Sequence, residues 1–193
     1  MSQEIEIEFK QLLNLNEFER LKQHFHLKGE DFHTQTNYYF DTPHFDIKER
    51  FAALRIREKN GKWVLTLKEP NDVGLIETHQ TLSSVSHIEC FTLPEGEVAE
   101  RLKQWNIDTT QIVFFGTLVT SRAEKKIAEG LIVLDHSRYL KVEDYELEFE
   151  VSDAQKGQQA FEQLLKQFHI PARQTKNKVV RFYEEKMRQN TNR

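Results

Sequence analysis

The chain has 193 residues, with 27 Lys or Arg against 31 Asp or Glu, a formal charge of −4. Hydrophobic residues make up 38% and charged residues 30%, a balance that suits one soluble globular domain able to bury a core. The mild acidity excludes a general nucleic-acid coat protein, and the longest apolar runs, Ile112–Phe115 and Leu131–Leu134, fall far short of the ~20 residues that span a bilayer. Met1-Ser2-Gln3-Glu4 has no apolar stretch of the signal-peptide kind, and the single cysteine, Cys90, excludes an internal disulfide and a Cys-based zinc cluster. These features place the protein in the cytoplasm, with Cys90 expected as a small, buried or half-buried apolar residue. Seven glycines are scattered singly, so no Walker A loop or dinucleotide fingerprint exists. Phosphate, if bound, must be held by side chains.

In chain order, alternating segments predict strands over 3–11, 34–41, 51–59, 62–69, 75–82, 111–121, 123–128, 131–138 and 144–152. Turn residues separate them at Asn60-Gly61, Asp72 to Gly74 and Glu129-Gly130. Helical spacing marks 15–26, capped by Asn14, then 95–105, 153–168 from a capping Asp153, and a last amphipathic helix over 176–188. The pattern is α+β: a mainly antiparallel sheet with helices in the connections and tail. The whole chain, 1–193, is expected as one domain, with 84–107 as the hinge between two strand groups.

Each strand has two chemically different faces. In the first, Glu4, Glu6, Glu8 and Lys10 alternate with Ile5, Ile7 and Phe9. Later, Glu146, Glu148 and Glu150 alternate with Leu147, Phe149 and Val151, while Arg55 and Arg57, then Thr66 and Lys68, take the polar faces between. Carboxylates in line repel one another, so two all-acid ladders call for cations. Hard divalent ions such as Mg2+ or Mn2+ take carboxylate oxygens, and guanidinium and ammonium groups match phosphate. The combination describes a site for a metal-bound polyphosphate. About eight antiparallel strands can close into a barrel that holds such charges inside, with apolar faces outward under the helices.

Five segments, in order, resemble the CYTH domain, or triphosphate tunnel metalloenzyme, family. They are Glu6-Ile7-Glu8-Phe9-Lys10, Tyr39-Phe40-Asp41-Thr42, Leu54-Arg55-Ile56-Arg57-Glu58, Leu65-Thr66-Leu67-Lys68 and, with Arg122 and Asp135, Glu148-Phe149-Glu150. The resemblance runs from residue 4 to about 182, and the length fits a stand-alone bacterial member. It implies a closed eight-stranded β-barrel tunnel with a charged interior. It implies divalent-metal-dependent hydrolysis of a small triphosphate or polyphosphate, the alternatives being a class IV-type adenylate cyclase or a non-catalytic polyphosphate- or nucleotide-binding module. A purely structural β-domain is a further rival.

By the same resemblance, Glu6, Glu8, Glu148 and Glu150 are metal ligands. Asp135 positions a second metal or orients a base. Lys10, Arg55, Arg57, Lys68, Arg122 and Lys178 form the phosphate clamp, with Lys176 competing with Lys178 for the last place. Glu77 is a further acidic tunnel residue. Glu4 and Glu146 extend the two ladders as rim charges or metal contacts. Tyr39 with Lys68 resembles a water-activating pair, packing being the other reading of Tyr39. The eight histidines form no cluster; His79 beside Glu77 reads as a partly exposed structural residue, and Asp41 as a stabiliser of the turn before Pro43. Oligomeric state, preferred metal and substrate length stay open.

Overall fold

Period-two alternation gives a strand two faces, and strands such as Ala53–Lys59 and Val142–Val151 use it to part polar from apolar residues. The computed structural model describes residues 3–72 and 74–191. Its strands are β1 (Gln3–Leu13), β2 (His33–Asp41), β3 (Ala53–Lys59), β4 (Lys62–Asn71), β5 (Gly74–Leu82), β6 (Val113–Ile127), β7 (Gly130–Tyr139) and β8 (Val142–Val151). They close into a barrel in the order β1-β5-β4-β3-β2-β6-β7-β8. Four helices accompany them: α1 (Leu15–His24), α2 (Glu97–Gln104), α3 (Ala154–Gln167) and α4 (Lys178–Thr191). None is long and apolar enough to cross a membrane.

Two compact units make up the chain, one of the segment ending at Glu6 with Gln35–Leu118, the other of Ile7–Thr34 with the chain from Val119 onward. In the first, β2 to β5 form a meander. Asn60 and Gly61 turn β3 into β4 with φ of 54° and 74°, the left-handed pair that a two-residue hairpin needs. Phe40, Leu54, Ile56, Leu65 and Leu67 share one face and pack beneath Val98 and Leu102 of α2. Asn37, Tyr39, Arg55, Arg57, Thr66 and Lys68 fall on the other face, because Tyr39 pairs with Arg55, Arg55 with Thr66 and Ala53 with Lys68.

In the second unit, Ile132, Leu134, Leu147 and Phe149 pack against Phe18 and Leu21 of α1 and Phe161 and Leu165 of α3. Gly157 permits that approach, since a Cβ there would lie 2.4 Å from Val151 Cγ2 and 3.0 Å from Phe9 Cε2. The caps form as expected. Asn14 Oδ1 accepts the Glu17 N–H at 2.9 Å while Glu17 Oε2 accepts the Asn14 N–H at 2.8 Å, and Asp153 caps α3 through the Lys156 N–H.

The connection from α3 to α4 passes the end of β1. There Arg173 donates to both Glu17 oxygens at 2.8 Å and to the Leu12 carbonyl, and Thr175 Oγ1 accepts the Leu12 N–H. This passage takes the chain from the helix-covered face to the charged one. Helices α1, α2 and α3 cover apolar strand faces, whereas the first turns of α4 supply side chains to the charged face.

Three local expectations need correction. Segments 111–121 and 123–128 are one strand, β6, because nothing between them turns the chain and Arg122 stays in the ladder opposite Asp135. Phe51 lies outside β3 at a φ of 57°, and the strand starts at Ala53. Cys90 is exposed rather than buried, at the end of a single 3-10 turn over Ile88–Cys90 in the connection from β5 to α2.

Glu17 serves both the α1 cap and the Arg173 anchor. Its hydrogen bond with Arg173, helped by the Asn14 N–H and the nearby cations, lowers its pKa from 4.5 against the opposing effect of burial. That stabilisation is present above the unfolded value and is lost as pH falls through the lower folded value. Glu17→Ala should cost about 2–3 kcal/mol in urea unfolding at neutral pH. Glu17→Gln should flatten the loss of stability with acid that the wild type shows below about pH 4.5.

Candidate active site

Buried charge is concentrated on the strand faces opposite the hydrophobic clusters. In the first unit, Lys68 Nζ lies 2.6 Å from Glu6 Oε2 and also contacts Glu77 Oε1. Glu77, only 7% exposed, faces Arg55 NH2 at 3.6 Å and His79 Nε2 at 3.3 Å. The other ring nitrogen of His79 is 3.0 Å from Thr66 Oγ1. Arg57 Nε donates to Asn37 Oδ1 at 2.9 Å. Arg55 Nε is buried without a hydrogen-bond partner. A buried guanidinium donor left open is costly and marks a place where an anion oxygen fits. Tyr39 is buried on β2 beside Arg55. The register of β1 sets Glu4 opposite Glu77; the Glu4 side chain lies outside the described residues.

The second unit holds a denser network. Arg122 grips Asp135 bidentately, Nε to Oδ1 at 2.8 Å and NH2 to Oδ2 at 2.6 Å, and its NH2 also meets Glu148 Oε2 at 2.6 Å. Lys178, on the first turn of α4, contacts Asp135 Oδ2 at 2.8 Å, Glu146 Oε1 at 2.9 Å and Glu148 Oε1. Lys10 meets Glu8 and donates to Asn177 Oδ1 at 2.7 Å. Strand pairing explains the convergence: Lys10 is opposite Glu148, Glu8 opposite Glu150, Asp135 opposite Glu146 and Arg122 opposite Asp135. Glu150 is half-buried. The Lys176 side chain is exposed and pairs with Glu184 at 2.6 Å.

Protonation follows the partners. Burial opposes charge on Lys178, but Asp135, Glu146 and Glu148 overcome it and hold the ammonium well above its ordinary pKa. Burial likewise disfavours charge on Arg122 and is overcome by Asp135 and Glu148. Burial would raise Glu148, yet Lys178, Arg122 and Lys10 hold it well below the usual carboxylate range. Asp135 is lowered in the same way by Arg122 and Lys178, against its burial. Glu146 alone among these acids shifts upward, because burial and the neighbouring Glu148 outweigh its bases.

Several participants escaped the sequence reading. Arg181 donates Nε to Asp144 Oδ2 at 3.0 Å and NH2 to Glu146 Oε2, and Tyr139 donates its hydroxyl to Asp144 Oδ2 at 2.8 Å. Asp144 continues the even-numbered ladder of β8, and Arg181 follows Lys178 by one helical turn, so both carried a periodic signal. Nothing in the pattern pointed to Asn177. Asp41, by contrast, accepts the backbone N–H groups of Thr42, Ile47 and Lys48, which holds the loop after β2.

Carboxylate oxygens such as those of Glu8, Glu148 and Glu150 in the second unit suit a hard divalent cation rather than a soft one. Among the described residues, no three His, Cys, Asp or Glu side chains are arranged to hold a metal ion. Glu6, Glu8 and Glu148 are occupied by Lys68, Lys10, Arg122 and Lys178. A cation at any of these acids would have to take carboxylate oxygens from the ammonium or guanidinium group that now holds them.

The sequence model of the CYTH domain matches residues 4–183. YjbK of Bacillus subtilis (strain 168), provisionally named a triphosphatase, is 60% identical over 186 residues, which cover 96% of this chain and 98% of that protein. A Bacillus halodurans structure, provisionally described as an adenylate cyclase, has a TM-score of 0.87 at 42% identity, covering 95% of this chain and 100% of that one. A Hippeastrum protein, given a provisional adenylyl cyclase name and a dominant triphosphatase activity, has the same fold at a TM-score of 0.71 and 23% identity, over 93% and 96% of the two chains.

Replacing Arg122 by Met leaves Asp135, which is fully buried, with Lys178 alone. The variant should lose about 2–4 kcal/mol in urea unfolding, and adding Asp135→Asn should recover part of the loss.

Proposed function

Because the chain belongs to the CYTH domain family, we propose that it is a divalent-metal-dependent triphosphatase that cleaves a phosphoanhydride of a small triphosphate, such as inorganic tripolyphosphate or an organic triphosphate. The observation that carries this reading is the buried, unpartnered Nε of Arg55, on a strand face shared with Arg57 and Lys68 and facing Glu77. The 60% identity to a protein provisionally named a triphosphatase supports it.

Glu6, Glu8, Glu148 and Glu150 are the residues assigned to Mg2+ or Mn2+. A metal held by these carboxylates would supply Lewis-acid chemistry, withdrawing charge from the phosphate. Lys10, Arg55, Arg57, Lys68, Arg122 and Lys178 are assigned to phosphate oxygens, where they neutralise charge that grows as the anhydride breaks. Asp135 orients Arg122 through the bidentate pair. Tyr39 and Lys68 are assigned to orienting the attacking water. Charge on the ammonium groups is shared with carboxylates before substrate arrives, so binding exchanges one set of oxygens for another rather than exposing bare charge.

A second reading, adenylate cyclase, is favoured by the provisional name of the 42% identical Bacillus halodurans protein. One assay separates the two. Tripolyphosphate, ATP, thiamine triphosphate and diphosphate are incubated with Mg2+ or Mn2+, and both phosphate and cyclic AMP are measured. Phosphate release from at least one triphosphate, without cyclic AMP, is expected. Glu148→Gln should reduce it by about 100-fold or more while the fold is retained. Inactivity on every substrate with both metals overturns the hydrolase, and cyclic AMP as main product replaces it with the cyclase.

A further inference from the structure

Glu146, like Glu148, has a different base on each of its two oxygens. Lys178 Nζ holds Oε1 at 2.9 Å, and Arg181 NH2 holds Oε2. Glu146 is fully buried, so while ionised it needs a counter-charge. Lys178 cannot be that permanent partner if it also serves an incoming anion, since it already divides itself among Asp135, Glu146 and Glu148. Arg181 can. Its Nε and NH2 are fixed on Asp144 at 3.0 and 3.3 Å, its NH1 donates to the Lys176 carbonyl at 2.5 Å, and Tyr139 steadies Asp144 from the other side. A planar fork with every arm engaged stays put, whereas an ammonium on a four-carbon stem can swing.

We propose that Arg181 is the standing counter-ion of Glu146, and that it thereby frees Lys178 to leave that carboxylate for a phosphate oxygen. Arg181 is on this account a positioning residue, acting on substrate through Glu146 and Lys178. The inference rests on the reading of Lys178 as a phosphate ligand. It separates two roles on one turn of α4: a mobile ammonium at Lys178 and a fixed guanidinium three residues later. A rival role for Arg181, simple anchoring of α4 to β8, uses the same contacts but makes a different prediction.

Without Arg181, Lys178 must stay on Glu146 or leave it buried and bare. Arg181→Met should therefore weaken metal-free binding of inorganic tripolyphosphate, read by calorimetry, by about tenfold or more. KM in the metal-dependent assay should rise in parallel, with kcat changing less. In Glu146→Gln/Arg181→Met the charge needing compensation is gone, so affinity should return to within about threefold of Glu146→Gln alone. An anchoring role would give no such recovery.

If Arg181→Met does not fold, Arg181→Lys and Glu146→Gln/Arg181→Lys carry the same comparison, with a smaller loss and the same recovery expected. Wild-type affinity in the single Arg181 variant overturns the proposal. A double variant as weak as the single one also overturns it and assigns Arg181 to anchoring. Wild-type protein that binds tripolyphosphate without cleaving it defeats the hydrolase reading and leaves the Arg181 comparison decisive. Wild-type protein that binds none defeats both.

Discussion

Asp135, Glu146 and Glu148 are buried on adjacent strands, with exposures of 0%, 0% and 6%. Each isolated carboxylate in such a place would cost several kcal/mol. Much of the second unit is arranged to meet that demand. β6 sets Arg122 opposite Asp135, β1 sets Lys10 opposite Glu148, and the chain passes the end of β1 so that α4 can bring Lys178 and Arg181 to the same face. The Glu17–Arg173 pair is far from the carboxylates in function, yet it anchors the passage that makes their compensation possible. With one strand face committed to ions, the apolar residues must be buried on the other, and α1 and α3 cover them.

Buried charge alone does not mark chemistry in this protein. Asp41 is buried, but its oxygens take backbone N–H groups and the result is a fixed loop. Glu69 is buried too, and Arg101 clasps both its oxygens and ties α2 to β4. In these cases each acid has partners that it shares with no other acid. The candidate site differs in that its bases are shared: Lys68 between Glu6 and Glu77, and Lys178 among three acids. Shared bases can be redistributed when an anion or a cation enters, and the open Nε of Arg55 is a donor waiting for an acceptor. Exclusive pairs hold a fold, and shared ones can exchange partners.

Much of this was legible in the sequence because a strand sorts its side chains by parity. Alternation placed Glu6, Glu8, Lys10, Arg55, Arg57, Lys68, Glu148 and Glu150 on polar faces before any pairing was known, and the cap residues Asn14 and Asp153 bounded their helices by local hydrogen bonds. Parity could not say which strands were neighbours, so the bidentate grip of Arg122 on Asp135 and the triple contact of Lys178 were invisible. The division of 111–128 into two strands failed for a related reason. A charged residue in mid-strand looks like an end until its cross-strand partner is known. Cys90 was misplaced because composition reports average burial, and the connection it lies in turns its sulfur outward.

The sequence by itself determined which residues share a face, where α1 and α3 begin and that acids line up on the polar faces of β1 and β8. Those properties depend on φ, ψ and hydrogen bonds between near neighbours, which the order of residues encodes directly. Tertiary structure decided the partners. The choice between Lys176 and Lys178 at the buried acids, the recruitment of Arg181, Asp144 and Asn177, and the unmatched donor on Arg55 depend on contacts between residues up to 167 positions apart. Such contacts are set by strand register and by the position of α4. A formal charge of −4 therefore says little about this protein, whose behaviour follows from how each buried charge is shared.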